Sequence, residues 1–221
     1  MAQGHGSDRQ ARGGGSSGRG GEPLDPNTQD LVRRARASGD PSTFGALFSR
    51  VAPGLAAWAR LRVRPSLRAR LDPDDLAQEV CLRAYRAFDR FDPERGSFRA
   101  WLMGIAQRVL QEALADLARG RSGSQDVEGR TRALEALPAD ATAVSRRVAR
   151  DETLERLIER LEQLAAADHA LLLHRGLEGR PHGEVADLLG VDVETARKRW
   201  QRLLARLRTD PGLVALALDE A

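Results

Sequence analysis

The stretch "DPDDLAQEVCLRAYRAFDRFDPERGSFRAWLMGIAQRVL", residues 72–110, predicts two α-helices separated by a charged turn. Asp72 can cap the first helix, and Pro73 suits its first position because an amide proton is not needed there. Ser97 can cap the second helix. On that helix, apolar side chains recur every three or four positions, which predicts one buried stripe. The stripe comprises Phe98, Trp101, Leu102, Ile105, Val109, Ala113 and Leu117.

The rest of the chain shows the same helical spacing and no strand-like alternation. A first block, residues 28–117, predicts four helices, and a second block, residues 150–208, predicts a further set. Residues 1–27 are rich in Gly, Ser and Arg and lack the apolar side chains to build a core, which predicts a disordered tail. A linker is expected at 118–149 and a short C-terminal tail at 209–221. The predicted fold is therefore all-α, with two small helical domains.

The segment "LEGRPHGEVADLLGVDVETARKRWQRLLARLR", residues 177–208, has the pattern of a helix-turn-helix. Gly190 can adopt the left-handed conformation that ends a short helix, and Asp192 can cap the next. That last helix predicts a buried stripe of Val193, Ala196, Trp200, Leu203 and Leu207. Its basic residues are Arg197, Lys198, Arg199, Arg202, Arg206 and Arg208. A basic face that follows a glycine turn favours a helix that inserts into the major groove of DNA. The alternative is a bundle helix whose charged face is simply solvated.

Composition excludes several classes of function. The formal net charge is only +3, so any contact with a polyanion must depend on local patches. Cys81 is the single cysteine, which excludes a disulfide framework. His5, His169, His174 and His182 are scattered without metal-ligand or triad spacing. No apolar run approaches the roughly 20 residues that span a bilayer. We predict no catalytic, metal or cofactor site, no membrane insertion, and a cytoplasmic location.

The helix that begins at Pro73 carries an acidic face. Asp75, Gln78, Glu79 and Leu82 fall on the side opposite the predicted core. Paired carboxylates can also indicate acid–base catalysis or a metal site, but no histidine or second ligand cluster accompanies them. An acidic face with an exposed leucine is more typical of a docking surface for a basic partner.

The turn itself is unusually aromatic. The chain has five Phe, three Trp and one Tyr, and four of these fall within residues 88–102: Phe88, Phe91, Phe98 and Trp101. They alternate with acids and arginines around a Pro-Glu-Arg-Gly turn. Phe98 and Trp101 belong to the predicted buried stripe of the second helix. We therefore expect the aromatic side chains mainly to hold the turn in place.

These motifs together resemble bacterial RNA polymerase sigma factors of the extracytoplasmic-function (ECF) class. The strings D-L-x-Q-E and F-D-P-E-R-G-S-F-R-A-W-L in residues 72–110 are similar to region two of that class, and residues 177–208 resemble region four. The resemblance covers nearly all of the predicted folded length, in the family's order. It implies a subunit without catalytic activity of its own that directs core polymerase to promoters and helps to open them.

The resemblance also implies roles for individual residues. Asp75, Gln78, Glu79 and Leu82 correspond to the surface that docks on core polymerase. Contacts to the opened −10 element are expected from Asp92, Arg95, Ser97, Arg99, Met103 and Gln107. Contacts to the duplex −35 element are expected from Glu194, Thr195, Arg197, Lys198, Gln201 and Arg202. The implied partners are core polymerase and promoter DNA, with an anti-sigma factor left open.

Two alternatives remain at this point. A stand-alone helix-turn-helix regulator would bind duplex DNA without the acidic face. A degenerate sigma factor would bind polymerase or a regulator without initiating transcription. The second alternative arises because relatives usually continue this helix with a run of arginines, which Glu112 and Asp116 interrupt here. The helix-turn-helix also departs from its relatives, with Pro181 and Gly183 where they usually have a serine cap and a glutamate.

Overall fold

The computed structural model describes residues 26–38, 41–120 and 151–208, and the regular structure in these ranges is helical. The helices are α1 (Pro26–Ser38), α2 (Pro41–Arg62), α3 (Pro73–Ala87), α4 (Phe98–Ala118), α5 (Glu152–Glu162), α6 (Ala166–Ala170), α7 (His182–Leu189) and α8 (Val193–Leu207). Short 3-10 turns occur at Pro65–Leu67 and Phe88–Arg90, and a π-helical segment occupies Leu171–Leu177. The all-α prediction is confirmed. The predicted tails 1–27 and 209–221 and the linker 118–149 lie almost wholly outside the described residues.

The first unit, α1 to α4, is organised around α2. Phe48, Leu55 and Trp58 of α2 are completely or almost completely buried, and α1 and α3 both pack against this helix. Helix α4 packs on α3 and contributes the buried side chains of Phe98 and Leu102. Burial of this apolar surface is the main stabilising contribution to such a bundle.

Helix starts in the first unit follow the predicted capping residues. The carboxylate of Asp72 accepts a hydrogen bond from the amide of Asp74 at 2.7 Å. The hydroxyl of Ser97 accepts one from the amide of Ala100 at 3.0 Å. These caps satisfy amides that a helix start leaves without intrahelical partners. Asp72 fixes the start of α3, and Ser97 fixes the point at which the turn between α3 and α4 ends.

The second unit, α5 to α8, contains the predicted helix-turn-helix. Asp151 caps α5, and Gly190 ends α7 with φ 63°, in the left-handed region that favours glycine. The carboxylate of Asp192 then accepts a hydrogen bond from the amide of Thr195 at 2.8 Å, which starts α8. Asp168 lies within α6, and its carboxylate binds the guanidinium of Arg206 of α8 at 2.7 Å.

The two units are packed against each other. Helix α5 and the π-helical segment both contact α2. At the centre of this junction, the indole nitrogen of Trp58 donates a buried hydrogen bond to Glu178 at 3.1 Å. None of the helices in the described ranges combines the length and apolar character needed to cross a membrane.

Candidate polymerase and DNA interfaces

The aromatic cluster in the turn between α3 and α4 is structural. Phe88, Phe91 and Phe98 are buried, and Trp101 is half-buried. The ring centroid of Phe91 lies 5.6 Å from that of Phe98 and 5.3 Å from that of Trp101. Phe44 of α2 meets Phe88 edge-on at 5.3 Å. Because tilted and edge-to-face rings pack favourably at these separations, the cluster fixes the backbone of the turn, as expected from the sequence.

The polar residues of the turn lie outside this cluster. Asp92 and Arg95 are exposed, and the Asp92 carboxylate accepts a hydrogen bond from the amide of Glu94 at 3.0 Å. The amide of Arg95 donates to the Asp92 carbonyl at 3.1 Å, which closes a tight turn. Ser97 is half-buried and its hydroxyl is used as the α4 cap. The turn therefore presents the side chain of Arg95 to solvent from a backbone that its neighbours hold rigid.

An open cavity of about 540 Å³ lies beside the turn. Its apolar part comes from the buried side chains of Val32, Phe91 and Phe98. Two exposed arginines of α1, Arg33 and Arg36, also line it. The sequence analysis did not identify these arginines, although the basic run "RRAR" at residues 33–36 could have suggested them. An apolar recess with cations at its edge suits a planar aromatic ligand attached to a phosphate backbone.

The outer face of α4 differs from the prediction in two ways. Met103 is only 4% exposed and belongs to the core, so the expectation that it faces DNA is wrong. Arg99 is half-buried, and its guanidinium donates to the backbone carbonyls of Gly176 and Leu177 in the second unit. Gln107 is half-buried in a crevice where the units meet, which Arg62, Arg64 and Arg180 also line.

The acidic face of α3 is smaller than predicted. Asp75 is exposed and Gln78 and Glu79 are half-buried, whereas Leu82 is only 2% exposed. The helical periodicity predicts Leu82 on the surface only if α3 packs against a neighbour on one side. Helix α3 packs on both α2 and α4, and so it buries apolar residues on two sides. Leu82 therefore lies beneath the acidic face and is not part of its exposed surface.

One carboxylate of this face, that of Glu79, is held by an ion-pair network. Arg83 binds Glu79 at 2.7 Å and also binds Glu112 of α4. Partial burial acts to lower the pKa of Arg83. Its hydrogen bonds to the two carboxylates raise the pKa by more than burial lowers it, so the net shift is upward. Near the end of α4, Asp116 binds Arg119 at 2.7 Å. The two acids that interrupt the expected arginine run are thus each bound to an arginine and add no unpaired negative charge.

Helix α8 presents most of the predicted DNA-reading residues. Thr195 is half-buried, and Glu194, Arg197, Lys198, Gln201 and Arg202 are exposed. Glu194 binds Arg197 at 3.0 Å and Lys198 at 3.7 Å. Val193 was expected in the buried stripe but is 44% exposed, because it is the first helical residue and projects beyond the packed part of α8. Leu204 joins Ala196, Trp200 and Leu203 in that stripe instead.

Other candidate chemistry is limited in the described ranges. Within residues 26–38, 41–120 and 151–208, no three His, Cys, Asp or Glu residues are placed to hold a metal ion. Cys81 is buried, and burial raises the pKa of its thiol. His174 binds the Glu178 carboxylate at 2.9 Å, and His5 lies outside the described residues.

Two family models match the chain, in the same order as the two units. The model described as "Sigma-70 region 2" matches residues 47–120, and the model described as "Sigma-70, region 4" matches residues 154–207. The first match includes α3, the aromatic turn and α4, and the second includes α8.

Curated relatives align along most of their own length. RNA polymerase sigma factor CnrH of Cupriavidus metallidurans is 30% identical over 190 residues, covering 83% of this chain and 95% of the relative. Sigma factor NccH of Alcaligenes xylosoxydans xylosoxydans is 29% identical, covering 83% and 94%. ECF sigma factor SigD of Mycobacterium tuberculosis is 29% identical, covering 82% of each chain.

A solved structure of CnrH in complex with the cytosolic domain of CnrY also matches. It covers 82% of this chain and 95% of the CnrH chain, at 26% identity and a TM-score of 0.37. The ordered pair of family matches, the lengths of the alignments and the two helical units agree with one another. This chain belongs to the ECF class of RNA polymerase sigma factors, which direct the polymerase to promoters.

Proposed function

We propose that this sigma factor captures an unpaired base of the −10 element in the cavity between α1 and the aromatic turn. The observation that carries the proposal is the combination of an apolar recess with exposed cations. A base taken out of the duplex needs a rigid pocket for its ring and positive charge for its backbone. Buried Phe91 and Phe98 supply the first, and Arg33 and Arg36 supply the second. Arg95 does not line the cavity but is exposed on the adjacent turn.

The volume and exposure of the cavity support this assignment. Pockets for small planar ligands usually measure about 300–1,000 Å³, and this one has about 540 Å³. The −10 set therefore consists of Asp92, Arg95 and Ser97 on the turn and Arg99 and Gln107 on α4, joined by Arg33 and Arg36 of α1. Asp92 and Ser97 act mainly by shaping the turn, because their side chains accept backbone hydrogen bonds.

Core polymerase is proposed to dock on Asp75, Gln78 and Glu79 of α3. Asp75 is the most accessible of the three, and Glu79 is oriented by Arg83. Solvent-accessible carboxylates on a packed helix favour a basic partner surface and would accelerate its association. Leu82 contributes indirectly, since its burial fixes the position of the helix that carries these groups.

The −35 element is proposed to bind the first turns of α8. Glu194, Thr195, Arg197, Lys198, Gln201 and Arg202 lie where a recognition helix meets base edges. Glu194 holds Arg197 and Lys198 in the free protein, so these cations must exchange a carboxylate for a base or a phosphate on binding. Residues 28–117 and 150–208 are then the two working domains, acting in the cytoplasm with no catalytic step and no cofactor of their own.

Promoter opening by the reconstituted holoenzyme tests the cavity. Run-off transcription with purified core polymerase on a promoter library first identifies a responsive promoter. Permanganate reactivity of unpaired thymines then measures opening by a variant with Arg33→Ala and Arg36→Ala. We expect opening to fall several-fold, while Arg34→Ala serves as the matched control because Arg34 is an exposed α1 arginine outside the cavity. Equal opening by the double variant and the control would contradict the assignment. Binding of core polymerase without initiation at any promoter would favour the degenerate alternative.

A further inference from the structure

We propose that Glu194 determines which base pair α8 selects at the −35 element, with cytosine as the preferred base. The inference rests on the proposed −35 role of α8 and adds to it the chemistry of the selected base. The observation that carries it is a single carboxylate placed inside a basic surface. Glu194 is the only acidic residue of α8, and the other charged residues of this helix are all basic.

The Glu194 carboxylate is shared by two cations that α8 is expected to use on DNA. One of its oxygens accepts a hydrogen bond from the Arg197 guanidinium at 3.0 Å, and the other oxygen lies 3.7 Å from the Lys198 ammonium. All three side chains are more than half exposed. Any DNA that reaches the start of α8 therefore meets a negative charge together with the two positive ones.

The backbone that carries Glu194 is held in place by the helix cap. The carboxylate of Asp192 accepts hydrogen bonds from the amide of Thr195 at 2.8 Å and from its hydroxyl at 2.6 Å. Glu194 lies between these two residues, in the first turn of α8. The first turns of a recognition helix are the part that meets base edges in the major groove. The carboxylate is thus positioned to face a base and not only the phosphates.

On DNA without a suitable base, this carboxylate opposes binding. Non-specific affinity comes mainly from cations that neutralise phosphates and release counterions. Glu194 competes with the phosphates for Arg197 and Lys198. The exposed ion pairs are themselves weak, so their loss is a small part of the cost. The larger part arises because a carboxylate that loses water against the acceptor atoms of DNA has no donor to bind.

A C·G base pair removes this cost. In the major groove, cytosine presents its N4 amino donor, and its guanine partner presents the N7 and O6 acceptors. The Glu194 carboxylate can accept from cytosine N4 while Arg197 donates to the guanine. Thymine and guanine offer a carboxylate no major-groove donor. Adenine offers its N6 amino group, but the adjacent N7 acceptor repels the second carboxylate oxygen. The expected order of preference is cytosine, then adenine, then thymine and guanine.

A carboxylate in the first turn of a helix also stabilises that helix, because its charge complements the positive end of the helix dipole. Such a role is independent of the DNA sequence. It predicts neither a base preference nor a change in the salt dependence of binding, and so these two quantities distinguish it from selection by Glu194.

Binding of the free, full-length chain to a random-sequence duplex tests the charge effect. Fluorescence anisotropy over a range of salt concentrations compares the parent with Glu194→Gln and with Glu159→Gln, an exposed acid of α5 that gives the same change in charge. We expect Glu194→Gln to bind several-fold more tightly at about 0.1 M salt. The slope of log K against log salt concentration should steepen by at least about 0.9, the value for one added phosphate contact. A parental slope for Glu194→Gln would overturn the proposal, as would an equal change in Glu159→Gln.

Competition between promoter variants tests base selection by the holoenzyme. Each base pair of the −35 element in a responsive promoter is changed in turn to the other three. The parent should prefer cytosine by about tenfold at one position. Glutamine binds adenine N6 and N7 bidentately, so Glu194→Gln should change that preference from cytosine to adenine. Glu194→Ala should show no preference there. Persistence of the cytosine preference in either variant, or its absence in the parent, would overturn the proposal.

Arg202→Ala distinguishes failure of this inference from failure of the proposed −35 role. If α8 does not bind the −35 element, Arg202→Ala will leave the affinity of the holoenzyme for the promoter unchanged. If α8 binds but Glu194 takes no part in selection, Arg202→Ala will weaken binding while the Glu194 variants keep the parental base preference. Far-UV circular dichroism confirms that each variant retains its helices.

Discussion

The aromatic turn and helix α8 both carry many charged residues, but their surfaces are formed in different ways. In α8 the exposed Arg197 and Lys198 are already paired with Glu194 on a regular helix, and the core lies on the opposite side. In the turn, the side chains that distinguish the sequence, Phe91 and Phe98, are buried. The cavity proposed to bind a base there is completed by α1, more than 50 residues earlier in the chain. A helical surface is thus local in origin, whereas the surface of the turn depends on tertiary packing.

The largest effect on stability is expected from removing a ring of the aromatic cluster that holds the turn. Phe98 is completely buried and contacts the rings of Phe88, Phe91 and Trp101. Phe98→Ala should lower the free energy of unfolding by about 3–5 kcal/mol, as large-to-small changes in a core usually do. Urea denaturation followed by circular dichroism measures this. Arg95→Ala, at an exposed position of the same turn, should change stability by less than about 0.5 kcal/mol while impairing promoter opening. Comparable destabilisation by both changes would contradict the division of the turn into buried, structural side chains and exposed, functional ones.

The acidic face of α3 is an intermediate case, because exposed carboxylates are oriented by packing beneath them. Asp75→Lys with Glu79→Lys should weaken binding to core polymerase by about 3 kcal/mol, since like charges would then face each other. Glu152→Lys, at an exposed end of α5, is the control and should leave binding unchanged. The affinity of labelled variants for purified core enzyme gives the answer. If the double variant bound normally, the docking face would have to lie elsewhere.

A smaller effect sharpens the comparison on α8. Arg197→Ala should cost about 1–3 kcal/mol in binding to the −35 element and relax preference at a single base pair, if Arg197 contacts a guanine bidentately. Arg202→Ala, one turn further along, should weaken binding to all sequences alike. Competition of the holoenzyme between promoter variants distinguishes the two patterns. A uniform loss for Arg197→Ala would make it a phosphate contact.

The smallest effect near neutral pH concerns Glu178. Burial alone would raise its pKa, but hydrogen bonds from His174 and Trp58 and the charge of Arg62 lower it from 4.5 to about 2. A lowered carboxylate pKa stabilises the folded state above about pH 4.5, and that contribution is lost as the pH falls towards 2. The junction between the two units should therefore be insensitive to pH between 6 and 8 and should weaken in acid. Energy transfer between dyes attached to the two units, followed over pH in the parent and in Glu178→Gln, measures this, and an identical acid transition in both would assign the change to other groups.

Much of the fold could be predicted because its signals are local. Asp72, Ser97, Asp192 and Gly190 act on backbone groups within three residues, so their effects are independent of what packs around them. For the same reason, the start and the exposed basic side of α8 could be predicted from the sequence. Leu82 and Met103 were misplaced for the complementary reason, since helical periodicity identifies an apolar face but does not reveal how many neighbours the helix has.

The α1 side of the cavity and the junction at Glu178 were beyond prediction from the sequence. Trp58 and Glu178 are 120 residues apart and belong to separate motifs, and a glutamate within a leucine-rich helix end gives no sign that it is buried. Arg99 shows the same limit. Its position on α4 indicated exposure, and only the packing of the second unit reveals that carbonyl groups already occupy it.

Lys198 is the only lysine of the 221 residues, and it lies exposed among the residues proposed to read the −35 element. A lysine-specific protease therefore has one cleavage site in the whole chain, inside α8. Cleavage there requires the helix to unwind locally, because a peptide bond within a folded helix does not fit a protease cleft. Digestion would yield two fragments at a rate set by the opening of a single helix. Bound promoter DNA would slow that rate, so one band on a gel would report occupancy of the −35 surface without any label.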